Sequence, residues 1–246
     1  MKKVSFENKF YRDWINDKLL HKVIVQENQT DLFIQTDKII KKDFIFKLVI
    51  KYRGQIQAYI DNHKNFLYSL MPISVASDAS LIVKSMARNA KVCNVGPMAS
   101  VAGAIANFIG SDLIRFGCEE ILIENGGDLF IKTGIDRKLA IYSGSKKFSN
   151  RILLDIASSD SPLGVCTSSG TIGHSLSFGE ADSVVICAKD AILADSAATS
   201  VCNMIKSKDD VYVVIKKAKM IPGIKGILII IKDSLAAWGN ITLSSG

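Results

Sequence analysis

Glu120-Ile-Leu-Ile-Glu-Asn-Gly-Gly-Asp-Leu-Phe-Ile-Lys-Thr133 is the stretch whose reading decides the fold. Two apolar runs, Glu120 to Glu124 and Asp128 to Thr133, flank Asn125-Gly126-Gly127, and Asn-Gly between such runs is the strongest short hairpin signal. The expected structure is a pair of antiparallel strands closed by a type I′ turn. A functional reading stands beside it. Two glycines let backbone N–H groups approach a phosphate or carbonyl, with Asn125 and Asp128 supplying polar contacts.

Working outward, period-two or short apolar runs continue at Leu139 to Ser143, Ile152 to Ile156, Gly164 to Thr167 and Ser183 to Ala188. They read as neighbouring strands joined by Gly-rich turns. Upstream, Pro97 suits the first position of a helix whose body, Ala99 to Ala106, is almost all small. An earlier helix starts from Asp78 as N-cap and runs through Leu81, Ile82, Met86 and Asn89. Another carries Val49, Tyr52, Ile56, Tyr59 and Ile60 at helical spacing. The opening reads as an alternating hairpin, Lys22 to Gln26 and Leu32 to Thr36 around Glu27-Asn28-Gln29-Thr30. Downstream come a buried helix, Ala191 to Ile205, a polar one, Asp209 to Lys219, and two closing strands, Gly226 to Lys232 and Trp238 to Leu243. The class is α+β, with mixed or antiparallel sheets packed with helices in a single compact domain over residues 1–246.

The chain has 246 residues, 48% of them apolar and 22% charged, enough to bury a sizeable core and too apolar for disorder. Its formal charge is +7, from 31 basic and 24 acidic residues. Residues 1–64 hold 13 basic and 8 acidic residues, so most of the excess lies in the first quarter, alternating in sign as on a solvated face. No nucleic-acid partner is expected. The strongest apolar runs, Ile227 to Ile231 and Met98 to Ile109, fall short of the roughly 20 residues of a membrane span. No secretory segment follows Met1, and five widely spaced cysteines suit buried reduced thiols better than disulfides or a zinc site. A cytoplasmic protein with no membrane association is expected. Of 17 glycines only Gly54 precedes residue 95, which places special backbone geometry, and with it the site, in the later part.

Three further segments carry chemistry. Cys166 to Gly179 packs six hydroxyl residues, three glycines and His174 after a short strand. Hydroxyls and amides at a strand end suit oxyanion or phosphate binding; the alternative is a Ser-rich surface loop. Asp195 and Thr199 lie four apart on a helix of small and apolar residues, so their oxygens project from one face. Two hard oxygens side by side suit Mg²⁺; alternatively Asp195 caps a neighbouring loop and Thr199 bonds back to a helix carbonyl. Gly96-Pro97-Met98-Ala99-Ser100 is a strand-to-helix entry without the glycines of a dinucleotide fingerprint or the lysine of a P-loop.

Taken together and in order, Val95 to Ala106, Ile123 to Asp128, Val165 to Gly179 and Ala194 to Thr199 strongly resemble the ApbE-like superfamily. More narrowly they resemble its short branch, an uncharacterised protein family, and the likeness extends from Tyr11-Arg12 to Trp238-Gly239. The resemblance implies an ApbE-like fold and the chemistry of flavin transferases, which with Mg²⁺ cleave FAD and attach FMN to a threonine of a target protein. It implies Asp195 and Thr199 as metal ligands, joined by backbone carbonyls of Ala99 and Ala198. Asn125, Gly126, Gly127 and Asp128 would line the FAD or FMN site together with Ser168, Ser169, Gly170 and Ser100. His174 and Asp195 are the catalytic candidates, with His174 as general acid or base.

The sequence also departs from the transferase pattern. Transferases have glycine in place of Pro97 and lysine in place of Ser100, and they carry a long insert with a His-Ile-Ile-Asp-Pro-like motif that is absent after Gly170. The expected function is binding of a flavin nucleotide or related phosphorylated ligand with Mg²⁺, with phosphoryl or FMN transfer as its chemistry. A non-catalytic flavin-binding or assembly module for a redox enzyme is the alternative. An acceptor protein and a homo-oligomer are partners left open.

Overall fold

Asn28 and Gln29 turn the first hairpin: Asn28 takes a left-handed conformation (φ 52°), which lets His21–Glu27 (β1) pair in full register with Thr30–Thr36 (β2). The computed structural model describes residues 19–141, 152–170, 178–239 and 241–245. After β2 come the helices Lys42–Asn62 (α1), Asn65–Tyr68 (α2), Leu81–Cys93 (α3) and Val101–Arg115 (α4). Strands Ile121–Asn125 (β3), Asp128–Lys132 (β4), Arg137–Ala140 (β5), Ile152–Ile156 (β6), Leu163–Ser168 (β7) and Ser183–Ala188 (β8) follow. Ala191–Met204 (α5), Asp210–Ala218 (α6), Ile224–Ile231 (β9), Ser234–Gly239 (β10) and Thr242–Ser245 (β11) complete the order.

Eight strands form one sheet in the order β1-β2-β3-β4-β7-β8-β9-β10, every neighbour antiparallel; β11-β6-β5 form a second, three-stranded sheet. Side-chain alternation explains why the central strands look continuously apolar. Phe130, Cys166, Ile186, Ile227 and Ile229 join the core beneath the helices, whereas Leu129, Ile131, Val165, Val185, Leu228 and Ile230 join a second core with Leu139, Ile152, Leu154 and Ile156 of the small sheet. Helices and small sheet thus cover opposite faces of the large sheet, a compact α+β arrangement as expected.

Several boundaries differ from those read off the sequence. Helix α3 is entered at Ser80, which has extended backbone (φ −60°, ψ 158°), and Asp78 stays exposed outside it. Pro97 opens a 3-10 turn, Pro97–Ser100, because Ala99 N–H bonds the Gly96 carbonyl and Val101 N–H that of Met98, three residues back in each case; α4 begins only afterwards. The final run divides at Gly239 (φ +84°). A Cβ there would lie 2.2 Å from the Lys225 carbonyl oxygen, and beyond it the chain leaves the large sheet for the small one. Pro97–Arg115 together form one helical stretch of 19 residues apolar enough to cross a membrane, longer than the apolar runs alone suggested, and half of its residues are buried in this fold. All five cysteines are buried, and none forms a disulfide.

Candidate functional site

The turn between β3 and β4 has positive φ at both glycines, +67° at Gly126 and +103° at Gly127, the geometry of type I′. Nothing lies within 4 Å of where either Cβ would be, so the glycines serve the backbone conformation rather than a close contact within the chain. Gly127 N–H donates to Glu124 Oε1 at 2.8 Å, and Glu124 itself is buried. That amide is therefore engaged by a carboxylate of its own hairpin, which argues against it as a phosphate donor. Asn125 and Asp128 pair across the turn and face the helix layer with Phe130, where Asn125 Nδ2 donates to the Ala102 carbonyl of α4 at 3.0 Å.

Asp195 meets the same end of α4. Its Oδ2 accepts from Gly103 N–H at 2.9 Å. Gly103 lies in the first turn of α4, where amides lack intrahelical partners, and Ser100, the residue before the helix, makes no side-chain cap. Asp195 is thus the cap, delivered from α5 to a helix N-terminus whose dipole favours a carboxylate. The alternative to metal binding is capping of a neighbouring loop; what Asp195 caps is instead a helix N-terminus, and it uses one oxygen only. Oδ1 makes no hydrogen bond among the described residues, and Asp195 and Thr199 are the two half-buried positions in the otherwise buried run Ala191 to Ser200.

Electrostatics set this corner apart. Burial pushes the Asp128 carboxyl up to about 7, with the Glu124 charge adding to it and the Cys166 thiol and Thr167 N–H acting against it. Burial, and after it the charge of Asp128, holds Asp195 well above the usual carboxylate range. Burial and the charges of Asp128 and Asp195 likewise push the Cys166 thiol up, so it is a protonated donor here rather than a nucleophile. Among the described residues no lysine or arginine pairs with Asp128 or Asp195. Two converging carboxylates without a cation call for a proton or a metal ion.

The remaining candidates sort by position. Ser168 ends β7 on the helix side of the sheet with Cys166, and its buried Oγ has no hydrogen-bond partner among the described residues. Ser169 is half-buried, and Gly170 N–H donates to the Ala181 carbonyl at 3.0 Å. Ala99 sits at the hand-over into α4. Gly103 N–H, the amide four residues on, is engaged by Asp195, which leaves the Ala99 carbonyl without that helical partner. Ala198 is buried within α5, where its carbonyl faces the helix's own ladder. Ser100 is fully buried and its Oγ donates to the Pro97 carbonyl at 3.2 Å, so it stabilises the turn rather than presenting a free hydroxyl. His174 and the rest of residues 171–177, like Tyr11 and Arg12, lie outside the described residues. The sequence reading passed over Gly103, Glu124 and Cys166 as individual residues. The all-small body of α4 was the signal for Gly103: a Cβ there would stand 2.3 Å from the Ala191 carbonyl oxygen and 2.8 Å from Asp195 Cβ.

A divalent cation fits this donor set: hard oxygens, an unpaired pair of carboxylates, a carboxylate oxygen left open and an orphaned buried hydroxyl at Ser168. Among the described residues, no group of three or more His, Cys, Asp or Glu side chains could by itself hold a metal, so carbonyls, Thr199 or a ligand must complete any coordination.

Comparison with known proteins places the chain and its fold. A family profile described as AbpE bacteria matches residues 12–222. A UPF0280 protein of Methanococcus aeolicus is 39% identical over 228 residues, covering 91% of each chain. One of Methanocaldococcus jannaschii is 36% identical over 225 residues, covering 89% of this chain and 90% of that one. The flavin transferase ApbE from Vibrio cholerae aligns in structure with TM-score 0.61 at 13% identity, covering 89% of this chain and 97% of the other. The flavinyl transferase ApbE of Pseudomonas stutzeri, in its apo form, gives 0.62 at 10% identity over 89% and 94%. These structural likenesses establish a shared fold, and the family match establishes membership: the chain belongs to the AbpE bacteria family, alongside the UPF0280 proteins.

Proposed function

We propose that the protein binds a flavin nucleotide, or a related phosphorylated ligand, together with Mg²⁺ at the Asp195 corner, and that phosphoryl or FMN transfer is the chemistry of the site. One observation carries this: Asp195 caps α4 with one oxygen and leaves the other open beside Asp128, with no cationic side chain paired to either among the described residues. Asp195 and Thr199 would hold the cation, with the carbonyls of Ala99 and Ala198. A divalent cation supplies neutralisation of the charge that develops on a pyrophosphate as it is cleaved. Asp195 stays ionised when it binds metal, since a cation reverses the effect of the neighbouring carboxylate. Ser168 Oγ would donate to the ligand, and His174 is our candidate to carry a proton to or from the reacting group. We place the protein in the cytoplasm, where its five cysteines, none in a disulfide, stay reduced.

A second reading, a flavin-binding or assembly module without transfer, is favoured by Ser100: its hydroxyl is engaged within the turn, at the position where transferases carry lysine. Incubation with FAD, Mg²⁺ and cell lysate separates the two. AMP release, or flavin fluorescence on a protein band in a denaturing gel, establishes transfer, whereas tight binding with neither establishes the module. Absence of flavin-nucleotide binding in Mg²⁺ would overturn both.

A further inference from the structure

We propose that the groove between α1, the start of α3 and the outer side of α4 is a second small-molecule site, for a phosphate or carboxylate group carried on a planar or apolar body. Its volume is about 340 Å³, within the range of small-ligand pockets. The candidate Asp195 centre uses Gly103 in the first turn of α4, and this groove uses that helix as far as Arg115, roughly 18 Å further along at the rise of an α-helix.

Three observations converge on an anion there. The N-terminus of α3, a 13-residue helix, opens onto the groove at Ser80 and Leu81, with no side-chain cap and no acidic residue in its first turn. The Ser80 Oγ, shielded from solvent, has no hydrogen-bond partner at all among the described residues. A serine before a helix ordinarily accepts from the amides of the first turn; here neither the hydroxyl nor those amides are satisfied by the other. Lys51 and Arg115 both line the groove, and they share one carboxylate, Asp112, with Nζ at 3.4 Å and the guanidinium at 2.9 Å. Two cations against one carboxylate leave a net positive charge here, with guanidinium N–H groups to spare, and the Tyr52 hydroxyl also donates to Asp112 at 2.6 Å. The body of the ligand would lie on Phe108 and on Leu81, which is 72% exposed.

Phenyl phosphate in EDTA, added to ¹⁵N-labelled Asp195→Asn protein, tests the site with the other centre disabled. Saturable shifts of the Leu81, Ile82 and Val83 amides are expected. Phenyl phosphate should bind several-fold more tightly than inorganic phosphate, and benzyl alcohol should leave the amides unmoved. In Lys51→Met/Arg115→Met, whose side chains are 50% and 78% exposed and whose loss should leave thermal unfolding unchanged, affinity should fall by at least about tenfold. Silent amides up to millimolar phenyl phosphate, or an affinity indifferent to both cations, overturn the proposal. Equal binding of phenyl phosphate and inorganic phosphate overturns the planar or apolar body. Because no Mg²⁺ or flavin is present, failure here leaves the reading of the Asp195 corner unaffected.

Discussion

At Gly103 a methyl group would stand 2.3 Å from the Ala191 carbonyl oxygen, and it would press on the side chain that this glycine's own amide holds in place. Gly103→Ala therefore forces α4 and α5 apart at the site itself. Overpacking of this kind costs about 1–3 kcal/mol, which urea unfolding would register, and Mg²⁺-dependent ligand binding should weaken in the same variant. A variant as stable as wild type that still binds would contradict the packing described. Ser168→Ala offers the opposite case: removing a buried hydroxyl that has no partner should leave stability equal or slightly raised while weakening ligand affinity. Residue-scale features were unevenly legible in sequence. Asp195 with Thr199 stood out as oxygens four apart in an apolar helix. Glu124 did not, because an acidic residue ending a strand looks solvent-facing until the second sheet covers that side.

Between elements, Glu120 does the joining. Its carboxylate accepts from Arg137 at 2.6 Å, Thr133 Oγ1 at 2.7 Å and Gly134 N–H at 2.5 Å, tying the start of β3 to the turn that leads into the small sheet. Burial works to raise its pKa, and the Arg137, Gly134 and Thr133 contacts outweigh it, so the group lies below its ordinary 4.5 in the folded protein. A depressed folded pKa contributes stability above the unfolded value that is lost as the pH falls through the folded one. Glu120→Gln should thus cost about 2 kcal/mol near neutral pH, with the gap to wild type closing below about pH 4. A gap that persists undiminished in acid would contradict the assignment. Element by element, the β3–β4 hairpin was readable because its Gly-Gly turn states its type locally, and the β1–β2 hairpin because its strands alternate on either side of Asn28-Gln29. The 3-10 turn at Pro97 and the start of α3 were not, since proline suits the first turn of either helix type and both Asp78 and Ser80 are good capping residues.

For the whole molecule, the sequence showed strands and helices but not that the strands divide into two sheets. β5, β6 and β11 are only four or five residues long, and β11 pairs with β6 across most of the C-terminal half, a non-local choice no local pattern encodes. The same division explains the runs without polar alternation, such as Ile227 to Ile231, which lie between two cores. The charge of +7 likewise misdescribes the candidate site, whose described ionisable groups are carboxylates and a protonated thiol. An anion can reach that corner only with a cation, and the central claim is tested by this dependence. Isothermal titration of FAD should show saturable binding in Mg²⁺, loss of it in EDTA, and loss of it again in a folded Asp195→Asn protein even with Mg²⁺ present. FAD binding that is equal in Mg²⁺ and EDTA, or undiminished in Asp195→Asn, would contradict the account.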